Sequence, residues 1–420
     1  MEEKQSIRRW MIFVMASLLF LMSQFYRASI AVITPQLTAD TGINTSELSL
    51  ISAGFFYAFA LAQIPIGIYL DRFGARRTMT FLSIIAALGA LVFAWAGSFQ
   101  GLMTGRLLLG IGMACNLMGT LKLLTLWFSP IRFATLTALV VSIGTAGNLI
   151  AATPLVLLVQ AFGWRITFTL FSAANLLLVI IFYAIVTDGP RISIQSNGEN
   201  LPPSLRDTLA WIGDLFHTKD YWIISLGTFC RYGIFAAFQA LWAGPFLMNV
   251  MGLSAITTGN MIFLMNIGLI FGGPINGILS DRILKTRKGV VLGGLAGFSS
   301  ILLAMAFLPA TVSQAVLYTL FFLCGIFSSA GMVMYSHIKE RVPLDKAGAA
   351  MTGINFFTMA GAAVFLQGLG AIMQHFFPVA TLGSAAFQTV FIICSVCLAA
   401  TALMYLQTRE PRKNGGKGSS

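Results

Sequence analysis

Arg27 and Arg231 lie inside segments that are otherwise apolar, QFYRASIAVITP (24–35) and FCRYGIFAAFQALW (229–242). A charge at the centre of an apolar helix in a bilayer costs about 2.5–3.5 kcal/mol even on the mildest insertion scale. It persists where it faces a cavity, a partner or a ligand. A guanidinium suits a small anion, because its planar fork donates two parallel hydrogen bonds to a carboxylate or phosphate and stays charged while doing so. Lys122, set shallower in its own apolar run, is a third candidate. None of the 14 Asp and Glu residues falls in the middle of an apolar run: Asp40 and Glu47 flank one end, Asp71 and Asp281 the other. The chemistry on offer is the neutralisation of an anion, with no buried carboxylate to carry a proton or hold a cation.

Helical spacing selects the neighbours of these cations, since positions three, four, seven and eleven apart share a face. Arg231 aligns with Phe235, Phe238 and Trp242, with Gln239 close by; Gln24 shares the face of Arg27, and Tyr26 adjoins it. Gly112, Cys115 and Gly119 leave room for Lys122 to reach inward. The expected substrate-contacting set is Arg27, Arg231, Lys122, Gln24, Tyr26, Phe235, Gln239 and Trp242. Tyr57, Asn116, Asn148, Asn266 and Asn355 could also contact cargo, although a hydrogen bond between helices is the commoner role for such residues.

The elements that must position these groups are membrane helices. With 57% hydrophobic and 10% charged residues over 420 positions, the composition is far outside the globular range. Twelve apolar runs long enough to cross a hydrocarbon core lie near 10–35, 46–70, 77–98, 101–128, 133–159, 164–187, 220–247, 254–280, 288–309, 313–339, 347–373 and 382–407. The start, MEEKQSIRRW, leads into a run without a small-residue cleavage site, so the first helix is expected to be retained. Of the 26 Lys and Arg residues, all but Arg27, Arg106, Lys122, Arg165 and Arg231 fall on one side if twelve helices span. Positive charge marks the cytoplasmic side, which puts both termini there. The net charge of +12 is therefore topological, and nucleic-acid binding is excluded for want of a basic-aromatic module.

One long polar segment, 188–219, divides the chain into an N-terminal half (1–187) and a C-terminal half (220–407), followed by a tail (408–420). The halves echo each other. GIYLDRFGARR (67–77) recurs as GILSDRILKTRK (277–288), and WFSPIRFATLTAL (127–139) is echoed by SHIKERVPLDKAGAAMTGI (336–354). The repeat unit is thus six helices.

The first of these motifs resembles the G-x-x-x-D-R-x-G-x-[R/K]-[R/K] loop of the major facilitator superfamily, matched by Gly67, Asp71, Arg72, Gly74, Arg76 and Arg77. The second copy keeps Gly277, Asp281, Arg282, Arg287 and Lys288 but lacks the internal glycine. GRLLLGIG (105–112) and GWR (163–165) agree with the same family. The resemblance implies an all-α membrane fold of twelve helices in two pseudo-symmetric halves that work by alternating access. It also implies that the loops act as a conformational gate, with the Asp capping a helix or pairing with Arg in one access state. Pro154 follows AAT, a departure from the drug/proton antiporter pattern of closely spaced glycines ending in Gly-Pro. FCRYGIFAAFQALW resembles the Arg-Tyr-Gly stretch of the organophosphate/phosphate antiporters, which pair it with an Arg in helix 1. By that resemblance Arg27 and Arg231 would clamp an anion near the midplane.

The remaining reactive residues carry little. Cys115, Cys230, Cys324, Cys394 and Cys397 lie inside helices with no cluster to complete a metal site. His337, near a cytoplasmic helix end, could carry a proton if coupling exists. No nucleotide loop and no nucleophile–base constellation is present, so neither enzymatic action nor a cofactor or metal is expected. The expectation is a monomeric secondary transporter of the inner membrane for a small phosphorylated or carboxylated metabolite, by antiport or symport. The rival readings are a proton-coupled drug or metabolite exporter, an amino-acid transporter and a transporter-like sensor.

Overall fold

An apolar segment in hydrocarbon must satisfy its own backbone polar groups, and a helix does this within the segment. The computed structural model of the chain is accordingly helical. It describes residues 2–128, 130–189, 217–341, 347–378 and 382–410. Most of the expected central loop (188–219) and of the tail (408–420) lies outside the described residues.

The N-terminal helices are α1 (Glu2–Ala28), α2 (Ile30–Thr41), α3 (Thr45–Trp95), α4 (Phe99–Met113), α5 (Asn116–Trp127), α6 (Pro130–Ile150) and α7 (Thr153–Ile185). The C-terminal helices are α8 (Lys219–Ala237), α9 (Ala255–Ile278), α10 (Arg287–Ala306), α11 (Gln314–Ser329), α12 (Gly331–Arg341), α13 (Ala347–Phe376) and α14 (Ser384–Tyr405). Two of these helices run on through a turn: α3 holds the second and third crossings, and α7 the end of the fifth and the whole of the sixth. α3 turns at Gly74 (φ 80°) and α7 at Gly163 (φ 76°), left-handed backbone that glycine adopts without steric cost.

Eleven helices among the described residues are long and apolar enough to cross a membrane. The fifth expected crossing is interrupted instead, with Leu139–Ile150 on one side and α7 restarting after Ala151 and Ala152 on the other. Pro154 explains the break. It has no N–H to donate and its ring clashes with the carbonyl four residues back, so it ends one helix and opens the next. With that crossing included, the fold has the twelve expected helices in two six-helix halves.

The first, fourth, seventh and tenth crossings are also irregular, which the sequence did not announce. The first breaks at Ser29 between α1 and α2, the fourth at Ala114 and Cys115 between α4 and α5, and the tenth at Ala330 between α11 and α12. The seventh continues from α8 through two π-helical turns, Phe238–Trp242 and Phe246–Val250. Irregular backbone at membrane depth is tolerated where protein covers it or it lines a cavity. Side chains take up the freed carbonyls: Gln63 donates to Ala114 (2.9 Å), Ser23 to Met113 (3.3 Å) and Arg106 to Tyr26 (2.8 Å).

The halves meet where α13 packs along α3, where α9 packs against α6 and α7, and where α2 packs against the π-turns that extend α8. Side-chain bonds cross this boundary from Tyr57 to Gln367 (2.8 Å), from Thr153 to Asn260 (2.7 Å) and from Asn355 to Gln63 (3.3 Å). Pro35 leaves the Ala31 carbonyl without its helical donor, and Gly244 of the other half packs directly on that carbonyl. Large apolar side chains such as Phe81, Leu88, Leu170 and Leu177 stand exposed on the outside of the bundle, where lipid would cover them.

Candidate functional site

Arg27 is the penultimate residue of α1, two residues before the Ser29 break, and is 9% exposed. Its Nη1 donates to the hydroxyl of Tyr232, in the other half, at 2.9 Å. Its guanidinium carbon lies over two aromatic rings, 5.0 Å from the centre of Phe59 and 5.9 Å from that of Phe56. These faces are electron-rich and stabilise a cation without neutralising it.

Arg231, 6% exposed on α8, turns toward the break in the tenth crossing. Its Nη1 donates to the Ser328 carbonyl at 2.8 Å and approaches the Ser328 hydroxyl at 3.4 Å. Gly331 makes room for it, because a Cβ there would sit on the guanidinium. The ring of Tyr232 lies 5.5 Å from the Arg231 guanidinium carbon. One tyrosine therefore touches both arginines. Neither arginine forms a salt bridge among the described residues, and the Nε of each is buried without a partner. Each keeps an unused donor for an oxyanion.

The other expected residues make contacts of their own. Gln239 is buried on the first π-turn and donates to Asn266. Gln24 is half-buried on α1, close to Gly147. Tyr26 points into the N-terminal half, its ring edge-on to Phe25 at 5.2 Å and tilted against Phe168 at 6.4 Å. Phe235 packs on Phe298 (6.2 Å) and Trp242 on Phe387 (6.5 Å), both inside the C-terminal half. The π-turns that begin at Phe238 shift the helical register, so the face drawn from Arg231 through Trp242 does not stay in line. Lys122 reaches the Leu70 carbonyl at 2.7 Å, beside the first loop motif. Of the five polar candidates, Tyr57 and Asn355 bond across the halves, Asn116 bonds to Leu19, and Asn266 receives Gln239. Asn148 is buried, and its Oδ1 has no partner.

Sequence reasoning passed over two residues. Tyr232 lay in plain sight in the Arg-Tyr-Gly stretch, but one position from Arg231 is off its helical face. Arg106 is 1% exposed, with its guanidinium 4.8 Å from the centre of Phe55 and its Nη1 on the carbonyl that the Ser29 break releases. A break in a helix with no proline at the spot leaves no signal in a single sequence.

At the first loop motif, Gly67 and Asp71 lie on the helical backbone of α3, and their surroundings fall outside the described residues. Gly74 makes the turn and lies against the carboxylate of Asp188, which accepts from the Arg76 backbone N–H at 2.8 Å. The Arg76 guanidinium donates to the Tyr183 carbonyl (2.7 and 3.1 Å) and stacks over its ring at 4.1 Å. Arg72 and Arg77 are exposed, Arg72 over Phe73 at 5.4 Å. In the second copy, which lacks the internal glycine, Lys285 takes the left-handed backbone instead (φ 52°). Asp281 pairs with Arg287, which also binds Glu340 at 2.8 Å, while Gly277 and Arg282 stand clear. None of the partners named here comes from the opposite half: Asp188 opens the segment between the halves, and the others share the half of their loop.

The C-terminal segment docks onto the second copy. Glu410 accepts from the Thr286 hydroxyl and from the backbone N–H groups of Arg287 (3.2 Å) and Lys288 (2.9 Å), capping α10. Lys288 donates to the Thr408 carbonyl (3.0 Å), and His337 meets the Tyr405 hydroxyl (2.7 Å) and the Arg409 carbonyl (2.9 Å). Partial burial alone would raise the Glu410 carboxyl. The three hydrogen bonds and the nearby His337 outweigh it and hold the group below the ordinary carboxylate range.

Comparison with known proteins gives the same frame. The chain is 26% identical to the probable sulfoacetate transporter SauU of Cupriavidus necator over 363 residues, covering 82% of each. It is 24% identical to the hexuronate transporter of Bacillus subtilis, covering 77% of this chain and 78% of that one. Its fold matches a bacterial homologue of the human lysosomal transporter Spinster, in an inward-facing and unoccupied conformation, with a TM-score of 0.77 at 18% identity, covering 95% and 96%. The model of the Major Facilitator Superfamily matches residues 15–366 and 224–420. The chain is thus a transporter and not an enzyme, and it belongs to the Major Facilitator Superfamily.

Proposed function

We propose that the protein carries a small organic anion across the inner membrane by alternating access, with Arg27 and Arg231 receiving the anionic group between the halves. The observation that carries this reading is the pair itself. Two buried guanidinium groups from opposite halves meet at one tyrosine, with no carboxylate on either among the described residues. A carboxylate, sulfonate or phosphate supplies the missing charge and the missing acceptors. The relatives named for sulfoacetate and hexuronate support the class of cargo, since each such compound carries at least one fixed anionic group.

In this reading residues 1–187 and 220–407 are the rocking halves, 188–219 joins them, and 408–420 is the tail. Both termini are cytoplasmic, in keeping with the one-sided distribution of Lys and Arg, and the carrier works as a monomer. The loops around Asp71 and Asp281 gate the cytoplasmic side. The cross-half contacts at Gly244 and Ala31 and at Thr153 and Asn260 then close the outer side. An empty, doubly cationic cavity resists crossing between states, and a bound anion lowers that barrier, which favours exchange or cation-coupled symport. Counterflow in proteoliposomes tests the reading with labelled sulfoacetate and glucuronate. The wild-type chain is expected to exchange at least one of them, and Arg231→Gln, still inserted and folded, to lose more than nine-tenths of the rate. Undiminished exchange by Arg231→Gln would contradict it.

A further inference from the structure

We infer that Tyr232 is a positioning residue that stands in for the anion in the empty carrier, holding Arg27 from the opposite half until cargo displaces it. The inference rests on the anion reading above and adds to it a residue, a role and a direction of effect.

Arg27 has one hydrogen-bond acceptor among the described residues, the Tyr232 hydroxyl at 2.9 Å. Its guanidinium also lies over the faces of Phe59 and Phe56. A phenol oxygen is a weak substitute for an oxyanion: it accepts a charge-assisted bond but carries no charge, so it offsets desolvation of the guanidinium without neutralising it. An acidic residue at position 232 would neutralise Arg27 permanently and compete with cargo for it. A phenylalanine there would leave the Nη1 of Arg27 without its acceptor. Tyrosine falls between these extremes, and the bond it makes is strong enough to hold the empty site together and weak enough to be exchanged.

The placement of the bond matters as much as its strength. Arg27 belongs to α1 and Tyr232 to α8, so the bond ties the two halves at the level of the site. Arg231 does not form such a tie, since its Nη1 is held by Ser328 within its own half. The two arginines are therefore unequal in the empty carrier. Arg231 is anchored to backbone, whereas Arg27 is held by the hydroxyl of a tyrosine whose ring lies against Arg231. An anion arriving on Arg231 lies beside the Tyr232 ring and takes over Arg27 by displacing one neutral oxygen. Loading then replaces a direct tie between the halves with one made through the cargo, which links occupancy to the contact between the halves.

Tyr232→Phe removes the oxygen and keeps the ring. Competition between Tyr232 and cargo ends, so the apparent KM for a transported anion is expected to fall about threefold to tenfold, with the maximal rate of exchange within a factor of two of wild type. A residue that merely supported the fold would lower the rate and leave KM in place. A residue that bound the cargo would raise KM. In the empty protein, the melting-point losses of Arg27→Gln and Tyr232→Phe are expected not to add, the double variant melting within about 1 °C of Arg27→Gln. Sulfoacetate and glucuronate serve as the probes. A raised or unchanged KM, or additive melting losses, overturns the stand-in role while leaving the two-arginine site intact. If the wild-type chain exchanges neither probe, the anion reading fails and this role falls with it, even where the melting losses are coupled.

Discussion

Arg27 and Tyr232 lie 205 residues apart in sequence and 2.9 Å apart in space, and the bond between them joins the two halves of the bundle. Each end of that bond is set by local backbone. Arg27 precedes the break at Ser29, and Tyr232 precedes the π-turns of the seventh crossing by less than two helical turns. The candidate site thus lies where three crossings, the first, seventh and tenth, lose their regularity, a pattern that transporters use to bring backbone and side-chain donors to the midplane.

Gly331 is a sensitive point because its missing side chain is the space that Arg231 fills. Gly331→Ala puts a methyl group on the guanidinium, the far end of a flexible chain, which must move off the Ser328 carbonyl. Anion affinity is expected to fall tenfold or more while the melting point of the empty protein changes by only a few degrees. Titration calorimetry on the purified variant checks it. Wild-type affinity would mean that the position of Arg231 is not what the anion reads.

Gly244 faces the Ala31 carbonyl, freed by Pro35, across the boundary between the halves. Gly244→Val overpacks this contact at a cost of about 1–3 kcal/mol, carried only by the state in which the halves touch there. The variant is expected to populate the alternative state more than wild type. The readout is a longer distance between spin labels at residues 42 and 252, on the turns flanking these segments. An unchanged distance distribution would remove this contact from the set that closes that end.

The Glu410 cap makes the tail sensitive to acid, and the sign follows from the direction of its shift. Because the folded carboxyl lies below its ordinary range, the cap stabilises fully above the ordinary carboxylate pKa and is lost as pH falls through the depressed folded value. Near neutral pH the backbone amides of Arg287 and Lys288 are expected to exchange hydrogen slowly in wild type. In Glu410→Gln they are expected to exchange several-fold faster, since a neutral amide is a poorer cap for a helix N-terminus. Equal exchange in the two proteins would show that the tail is held by Lys288 and His337 alone.

Hydrophobic periodicity and charge bias made the twelve crossings legible, because bilayer thickness dictates helix length and a doubled loop motif marks the six-helix repeat. Gly74 and Pro154 could be recognised as punctuation from residue type. The breaks at Ser29, Ala114 and Ala330 could not, since they arise from tertiary competition for carbonyls, such as Arg106 taking that of Tyr26. Arg27 and Arg231 stood out because a lone charge in an apolar run has few explanations. Their neighbours did not follow from helical geometry alone. Phe235 and Trp242 share the ideal face of Arg231, yet they pack into their own half, and Tyr232, off that face, reaches Arg27.

The most direct test of the two-arginine site is a thermal-shift titration of the purified wild type, Arg27→Gln and Arg231→Gln against sulfoacetate, glucuronate, a phosphorylated sugar, an amino acid and a lipophilic cation. A ligand that binds the folded state raises its melting point with concentration. The expected result is a rise for at least one anion in the wild type, absent in both variants at the same concentrations. Stabilisation by the cation alone, or equal stabilisation of all three proteins by an anion, would contradict the site.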